Sequence, residues 1–224
     1  MPSVLVPLGA HFLPLISAVA KGLGVSLDDH AVAGLVTWLD LMATWNAKVD
    51  LTAARSADEL VDLMLADAIV LARHEPQANT VVDVGSGAGG PGLALSLSRP
   101  DLAVTLVEPR DKRVSFLRTV AGQLPRPEGR GGSLRVVRAQ GEDLVRQGAS
   151  FDSAVARAVL APEPWLRLGA RLAPAGAVWV LLAREPPPLL DGWEIDLDEP
   201  YIWPLTGAAR RAVRYRRAAA PESI

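Results

Sequence analysis

The residues best suited to chemistry lie in one short stretch, TVVDVGSGAGGPG at positions 80–92. Its first residues are apolar or β-branched and predict a short buried strand, and an acid, Asp83, precedes a run of glycines. The apolar run that follows predicts a helix with Pro91 near its first turn. A strand, a glycine-rich turn and a helix start together favour a nucleotide-like ligand, because glycines admit a ligand close to the backbone and the helix offers N–H groups.

The two acids near this turn indicate which ligand it takes. The spacing of Gly85, Gly87 and Gly90 matches the dinucleotide fingerprint, which alone does not separate NAD from other nucleotides. Asp83 would repel a bound pyrophosphate, whereas the sulfonium and ammonium groups of S-adenosylmethionine suit a nearby acid. Glu108 ends the next predicted strand, where an acid accepts hydrogen bonds from both ribose hydroxyls. We therefore interpret the turn as an S-adenosylmethionine site; the alternative is a glycine-rich turn without a ligand.

The elements that position these residues alternate between strand and helix from position 80 onward. This alternation predicts an α/β fold with a mostly parallel, doubly wound sheet covered on both faces. We predict strands at 80–84, 103–107, 134–137, 152–156 and 177–182, helices from 91, at 111–123 and at 162–172, and a final hairpin with strands at Trp193 and 213–215. The Pro/Gly/Arg-rich run at 125–132 is predicted to be an exposed loop.

The residues before the sheet are predicted to be helical. Ser26 is the expected N-cap of a helix that runs to about Trp45, with apolar residues at helical spacing. Ser56 and Glu59 form a capping box that opens a second helix through about Ala72. We therefore predict an N-terminal helical extension at residues 1–75, followed by the sheet domain at 76–224.

Composition bounds the class of protein. The chain has 224 residues, half of them hydrophobic and 21% charged, which is typical of a globular protein with a sizeable core. It contains no cysteine, so it has no disulfides, and its three histidines are too far apart in sequence to suggest a metal site. The apolar N-terminal run has no Lys or Arg before Lys21, and prolines interrupt it. We expect a cytoplasmic protein with no metal and no membrane span.

Charge is unevenly distributed although the net charge is only −2. Residues 1–80 hold four Lys/Arg against nine Asp/Glu, whereas residues 110–146 hold nine against four and residues 201–224 hold five against one. This asymmetry favours either a basic face for a phosphate backbone or ordinary solvated surface, and charge alone leaves both open.

Several short segments, taken in order, resemble one known family. They are WN at 45–46, LTA at 51–53, DVGSGAGGPG at 83–92, KRVSFL at 112–117, GEDL at 141–144, FD at 151–152 and ARA at 156–158. The ordered set is similar to the bacterial RsmG (GidB) methyltransferases, which methylate N7 of a guanine in small-subunit (16S) ribosomal RNA. The resemblance covers about residues 27–217.

This resemblance implies a Rossmann-like class I S-adenosylmethionine-dependent methyltransferase. Its site residues, carried over by position, are cofactor contacts at Gly85, Gly90, Gly141, Glu142 and Arg157. Because Arg157 ends the predicted fourth strand, we also assign it the catalytic task of orienting the cofactor or the target base. The expected cofactor is S-adenosyl-L-methionine, and the expected partner of this monomer is small-subunit ribosomal RNA or the ribosomal subunit.

The chemistry implied needs little from side chains. Guanine N7 has a free lone pair and no proton, so positioning does most of the work. Phosphate contacts are expected from basic residues, namely Lys112, Arg113, Arg210, Arg211 and Arg214. The tryptophans are candidates for stacking on a base, although core packing is expected for most, Trp179 above all. Departures from the family pattern, which fall partly on the presumed RNA side, are Met64, Ala68, Gln140 and Arg184.

Three other functions remain open at this stage. A methyltransferase of a small molecule or protein would share the cofactor site. An NAD-linked oxidoreductase is permitted by the glycine spacing but disfavoured by Asp83, and the chain shows no evident Tyr/Lys proton donor. A non-enzymatic binding module would keep the fold without catalysis.

Overall fold

The computed structural model describes residues 5–74, 79–124 and 132–219. A short 3-10 turn at Gly9–His11 precedes seven helices: α1 (Phe12–Gly22), α2 (Asp29–Asn46), α3 (Ala57–His74), α4 (Gly92–Ser98), α5 (Asp111–Gln123), α6 (Gly141–Arg146) and α7 (Pro162–Leu172). The strands are β1 (Thr80–Val84), β2 (Ala103–Val107), β3 (Ser133–Val137), β4 (Ser153–Ala156), β5 (Ala177–Leu182), β6 (Trp193–Ile202) and β7 (Ala209–Arg217). Most of the loop predicted at 125–132 and the predicted boundary at 75/76 lie outside the described residues.

The strands form one seven-stranded sheet in the order β3-β2-β1-β4-β5-β7-β6. β1 to β5 run parallel, and β7 joins β5 and β6 in antiparallel fashion. The prediction of a mostly parallel, doubly wound sheet is confirmed. The strand order reverses between β1 and β4, and ligands of such sheets bind beside the carboxyl ends of the strands at that switch point.

Successive residues of β1 point into two different cores. Val81 belongs to the apolar cluster on one face, with α1 to α5, and Val82 to the cluster on the other face, with α6 and α7. The N-terminal helices therefore share a core with one face of the sheet. This packing brings α2 and α3 against α4, the helix that follows the glycine-rich turn.

Local side chains set where the first helices begin. The predicted N-cap at Ser26 is wrong: α2 is capped by Asp28, whose carboxylate accepts a hydrogen bond from the Ala31 N–H at 2.8 Å. The capping box before α3 is confirmed, except that the Glu59 carboxylate binds the N–H of Arg55 and not that of Ser56. Ser56 Oγ accepts from the Glu59 N–H at 3.1 Å, and the Glu59 carboxylate reaches back to the Arg55 N–H at 2.7 Å.

A buried acid of α3 fixes the β6–β7 hairpin to the helical layer. Asp62 is 0% exposed, and its carboxylate accepts hydrogen bonds from the Leu205 N–H and from both the N–H and the hydroxyl of Thr206. The turn between the two strands is thereby held over α3. In the described ranges, no helix combines the length and apolarity required to cross a membrane.

Candidate active site

The glycine-rich turn between β1 and α4 folds back onto the end of β2. Gly85, Gly87 and Gly89 have φ values of +70°, +59° and +112°, which glycine adopts without strain. The Val107 carbonyl accepts from the N–H groups of Gly85 and Ser86, at 2.8 and 3.0 Å. These bonds close the turn over the sheet edge, at the switch point between β1 and β4.

Asp83 lies beneath this turn rather than on its surface. Asp83 is only 1% exposed. Its Oδ2 accepts a hydrogen bond at 3.0 Å from the N–H of Gly92, the first residue of α4. Burial raises the pKa of Asp83 to about 7, although the Gly92 N–H and the positive charge of Arg157 both act to lower it. The acid is therefore tied to the helix N-terminus.

Glu108 makes a similar connection from the end of β2. Its Oε2 accepts from the Gly87 N–H at 3.0 Å and its Oε1 from the Arg110 N–H at 2.9 Å, in a residue that is 3% exposed. Both predicted acids thus border the turn, and both bind its backbone.

These bonds test which ligand the turn suits. A pyrophosphate at a glycine-rich turn relies on the N–H groups of the turn and of the helix start. Here the carboxylates of Glu108 and Asp83 already occupy the N–H groups of Gly87 and Gly92. Negative charge on these carboxyl groups also repels phosphate and favours a cation. The residues present therefore fit a cationic, phosphate-free ligand such as S-adenosylmethionine better than a dinucleotide.

The other predicted glycines lie where chains approach closely. A Cβ on Gly90 would lie 2.9 Å from Arg157 Nη2 and 3.3 Å from the Met64 carbonyl oxygen. A Cβ on Gly141, the first residue of α6, would lie 2.9 Å from Val84 Cγ1 at the end of β1. Both glycines are buried, so backbone closeness explains them; Glu142, next to Gly141, is exposed.

The loop after β4 covers the glycine-rich turn. Ala158 has φ +55°, an uncommon value for a residue with a Cβ. The next residue, Val159, is 41% exposed, and a Cβ on Gly85 would lie 2.5 Å from its Cγ2. Val159 therefore sits against the backbone that a ligand of this turn would approach.

Arg157, which follows β4, is held by α3. Its Nη1 donates to the Leu63 carbonyl and to Asp67 Oδ2, the latter at 3.3 Å. Asp67 Oδ1 accepts from the Tyr201 hydroxyl at 2.7 Å and from Trp203 Nε1 at 3.1 Å. One buried carboxylate of α3 thus joins the end of β4 to the hairpin. Sequence reasoning missed this network, because its members come from three distant segments.

A cavity of about 280 Å³ opens beside the ends of β4 and β5. Its walls carry apolar groups together with two acidic and two basic side chains, and Tyr201 and Trp203 line one side. Arg157 and Val159, which contact the glycine-rich turn, also line this cavity. The turn and the cavity are therefore adjacent compartments at one sheet edge.

Most of the C-terminal arginines expected to contact phosphates have carboxylate partners on β6. Arg211 pairs with Asp198, and Arg214 pairs with Asp196 at 2.9 Å. Because these acids offset their charge, phosphate contacts at Arg211 and Arg214 stay untested predictions, and they would have to compete with the ion pairs. Lys112, in the first turn of α5, is exposed and stays a predicted phosphate contact.

The departures from the family pattern fall in different environments. Met64 and Ala68 are 3% and 0% exposed within α3, so they are packing positions and do not belong to an RNA-facing surface. Gln140 is the exposed N-cap of α6, and its N–H donates to the Asp143 carboxylate at 2.8 Å. Arg184 is exposed just after β5. The prediction of core packing for Trp179 is confirmed, since it is 0% exposed in β5.

Comparison of the fold agrees with this arrangement. A putative transferase, PH0793 from Pyrococcus horikoshii, matches with a TM-score of 0.50 and 13% identity, over 70% of this chain and 67% of that one. The similarity concerns the fold alone.

Sequence comparison identifies the family. The family model described as "GidB: rRNA small subunit methyltransferase G" matches residues 32–185. A Ribosomal RNA small subunit methyltransferase G of Anaeromyxobacter dehalogenans (strain 2CP-C) is 35% identical over 219 residues, covering 89% of this chain and 96% of that one. Its namesake in Halorhodospira halophila is 40% identical over 163 residues, covering 72% and 74%. The chain therefore belongs to the GidB family of rRNA small subunit methyltransferases.

Proposed function

We propose that this protein transfers the methyl group of S-adenosylmethionine to N7 of a guanine in small-subunit (16S) ribosomal RNA. The names of its relatives support the RNA substrate. One observation above all supports the cofactor: Asp83 binds the Gly92 N–H at the start of α4. This bond takes up an N–H group that a phosphate at the helix start would need, and negative charge on the carboxyl group favours a cationic ligand.

The chain's own contribution would be to hold and orient. We assign the cofactor site to the backbone of the glycine-rich turn, with Asp83 and Glu108 beneath it and Gly141 and Glu142 at the start of α6. Arg157 would orient the cofactor or the base from the end of β4. S-adenosylmethionine would supply an electrophilic methyl group on sulfur, and the neutral thioether leaves as the bond from N7 to carbon forms. N7 carries no proton, so no side chain needs to act as a base.

The RNA would approach the carboxyl edge of the sheet as a polyanion. Lys112 and Arg113 lie in the first turn of α5, which follows the end of β2, and we assign them phosphate contacts. We further propose that the protein acts in the cytoplasm as a monomer and without a metal. Among the described residues, no group of three His, Asp or Glu side chains is arranged to hold a metal ion.

Methyl transfer from labelled S-adenosylmethionine to purified ribosomal RNA tests this function. We expect label in small-subunit RNA and none in large-subunit RNA, and we expect S-adenosylmethionine, but not NAD, to bind the free protein. Binding of S-adenosylmethionine without labelled RNA would keep the cofactor and remove the substrate. In that case small molecules and proteins would be the acceptors to test. Binding of NAD instead would contradict the cofactor assignment.

A further inference from the structure

The cavity beside the glycine-rich turn is lined by an arginine stacked on a tryptophan, a pair to which the proposed function assigns no role. Arg210, on β7, places its guanidinium carbon 3.9 Å from the centroid of the Trp203 ring. Trp203 follows β6 and is 7% exposed, and both residues line the cavity. A cation at this distance from an indole face is a cation–π contact.

We propose that Trp203 is the stacking platform for the target guanine and that Arg210 occupies, in this structure, the position that the base takes. This inference rests on the proposed N7 methylation and names the acceptor side of the same site. Arg210 must swing away from the ring when the base enters.

The cavity has the place and the size for the acceptor. It shares Arg157 and Val159 with the glycine-rich turn, so a base in it would lie next to a cofactor in the turn. Methyl transfer requires this adjacency. Its volume of about 280 Å³ is at the low end for ligand pockets, which suits a single flipped-out base better than a whole nucleotide.

Trp203 is held in place by a buried hydrogen-bond network, whereas the Arg210 side chain above it has weaker contacts. Trp203 Nε1 donates to the buried Asp67 carboxylate, which Tyr201 and Arg157 also bind. Burial raises the pKa of Tyr201, so its hydroxyl keeps the proton that it donates. The Arg210 side chain, by contrast, donates to the neighbouring Ala209 carbonyl at 2.8 Å, and no ion pair described for this part of the chain includes it.

Displacement of Arg210 makes the formal charge of the cavity negative, which favours a cationic base. The charged groups that line it are the carboxyl groups of Asp67 and Glu185 and the guanidinium groups of Arg157 and Arg210. With Arg210 in place their formal charges cancel, and without it one negative charge remains. A guanine that is being methylated on N7 acquires positive charge. The opened cavity therefore binds the transition state and the cationic product better than the neutral guanine.

Titration of the full-length protein with two nucleotides tests the platform. We expect 7-methylguanosine 5′-monophosphate to bind roughly five- to tenfold tighter than guanosine 5′-monophosphate, the ratio of a partly desolvated cation–π contact. Arg210→Ala should strengthen binding of the methylated nucleotide, because no guanidinium competes for the ring. Trp203→Leu should abolish the preference, and Trp203→Phe should keep part of it.

Arg211→Ala is the matched control, because adjacent strand residues point to opposite faces and Arg211 pairs with Asp198. It should leave both affinities unchanged. Equal affinities in the wild type, no binding of either nucleotide, or weaker binding by Arg210→Ala would overturn the proposal. Failure here together with N7 methylation of RNA would remove the platform and leave the proposed function. A preference for the methylated nucleotide without RNA methylation would do the reverse.

Discussion

The indole nitrogen of Trp38 donates a hydrogen bond to the Ala88 carbonyl at 2.9 Å. Trp38 lies in α2 and is 0% exposed, whereas Ala88 lies in the glycine-rich turn between β1 and α4. A residue of the N-terminal helices therefore supports the candidate cofactor site from behind. The helical layer is part of the site and not only a cover for one face of the sheet.

Replacing this tryptophan should loosen the turn. Trp38→Phe keeps much of the apolar volume but leaves the buried Ala88 carbonyl without its indole donor, which costs about 1 to 3 kcal/mol of the free energy of unfolding. We expect urea denaturation to show this loss and cofactor titration to show weaker binding. Trp193→Phe, at the start of the edge strand β6, is the control and should leave the cofactor affinity unchanged. Unaltered cofactor affinity in Trp38→Phe would refute the supporting role of α2.

Two glycines with nearly equal φ values distinguish the effect of backbone strain from the effect of a close neighbouring side chain. Gly85 and Gly148 have φ +70° and +73°, but a Cβ on Gly85 meets Val159 at 2.5 Å, whereas one on Gly148 has nothing within 4 Å. Alanine should cost each site about 1 to 2 kcal/mol of stability from the left-handed backbone. Only Gly85→Ala should also abolish S-adenosylmethionine binding. Equal cofactor affinities in the two variants would place the cofactor elsewhere.

The network around Arg157 should be sensitive to the charge of Asp67. Asp67→Asn keeps an oxygen acceptor for Tyr201 and Trp203 but leaves a largely buried guanidinium without its counter-charge, at a cost of about 3 kcal/mol. Asp198→Asn, which breaks a partly exposed pair with Arg211, should cost less than about 1 kcal/mol. Urea denaturation of both variants measures the difference. Equal losses would mean that the buried pair contributes no more than a surface pair.

Stability should depend on pH through Asp83. Its pKa is about 7 in the folded protein against 3.8 in a free side chain, so the folded state holds this proton more tightly than the unfolded chain does. As pH rises from about 4 to about 7, the unfolded chain loses the proton first. The free energy of unfolding then falls by up to roughly 4 kcal/mol and is constant above that range.

Asp83→Asn removes this titration and keeps an oxygen acceptor for the Gly92 N–H. We expect the variant to gain stability relative to the wild type as pH rises from 4 to 8. Urea denaturation at several pH values gives the difference between the two proteins, in which the other titrating groups cancel. A constant difference over that interval would assign the pH dependence to other groups.

Binding to RNA should separate exposed from paired basic residues. Lys112 is exposed in α5, so Lys112→Ala should weaken RNA binding and lower the slope of log affinity against log salt by about one. Arg211→Ala should leave the slope unchanged, because Asp198 already offsets that charge. Affinity measured between low and moderate salt gives both slopes. A lower slope for Arg211→Ala alone would reverse the assignment.

Local pattern predicts the parallel strands better than the final hairpin, whose strands β6 and β7 have 10 and 9 residues and extend well beyond the segments predicted at Trp193 and 213–215. β1, β2 and β5 have the predicted bounds, and so do α5 and α7, because each is a clear apolar period between turn residues. The predicted start of α2 is wrong by about two residues, because three polar residues in this segment all suit a helix start: Ser26, Asp28 and Asp29. The short helix α6 is absent from the predicted elements.

The site is predictable only as far as chain order allows. The carboxyl ends of parallel strands meet at one edge, so the positions of Asp83, Glu108 and Arg157 follow from the strands. The positions of their hydrogen-bond partners do not follow from the strands. Asp67 lies 90 residues from Arg157, so no local pattern connects the two. The burial of Asp83 likewise depends on how the glycine-rich turn folds back over β1.

The most direct measurement is the identity of the methylated nucleoside. Small-subunit ribosomal RNA is incubated with labelled S-adenosylmethionine and with wild type, Gly85→Ala or Gly148→Ala, and is then digested to nucleosides. We predict label in 7-methylguanosine, from a single site, with wild type and Gly148→Ala and none with Gly85→Ala. Label in any other nucleoside, or undiminished label with Gly85→Ala, would contradict the proposed function or its site.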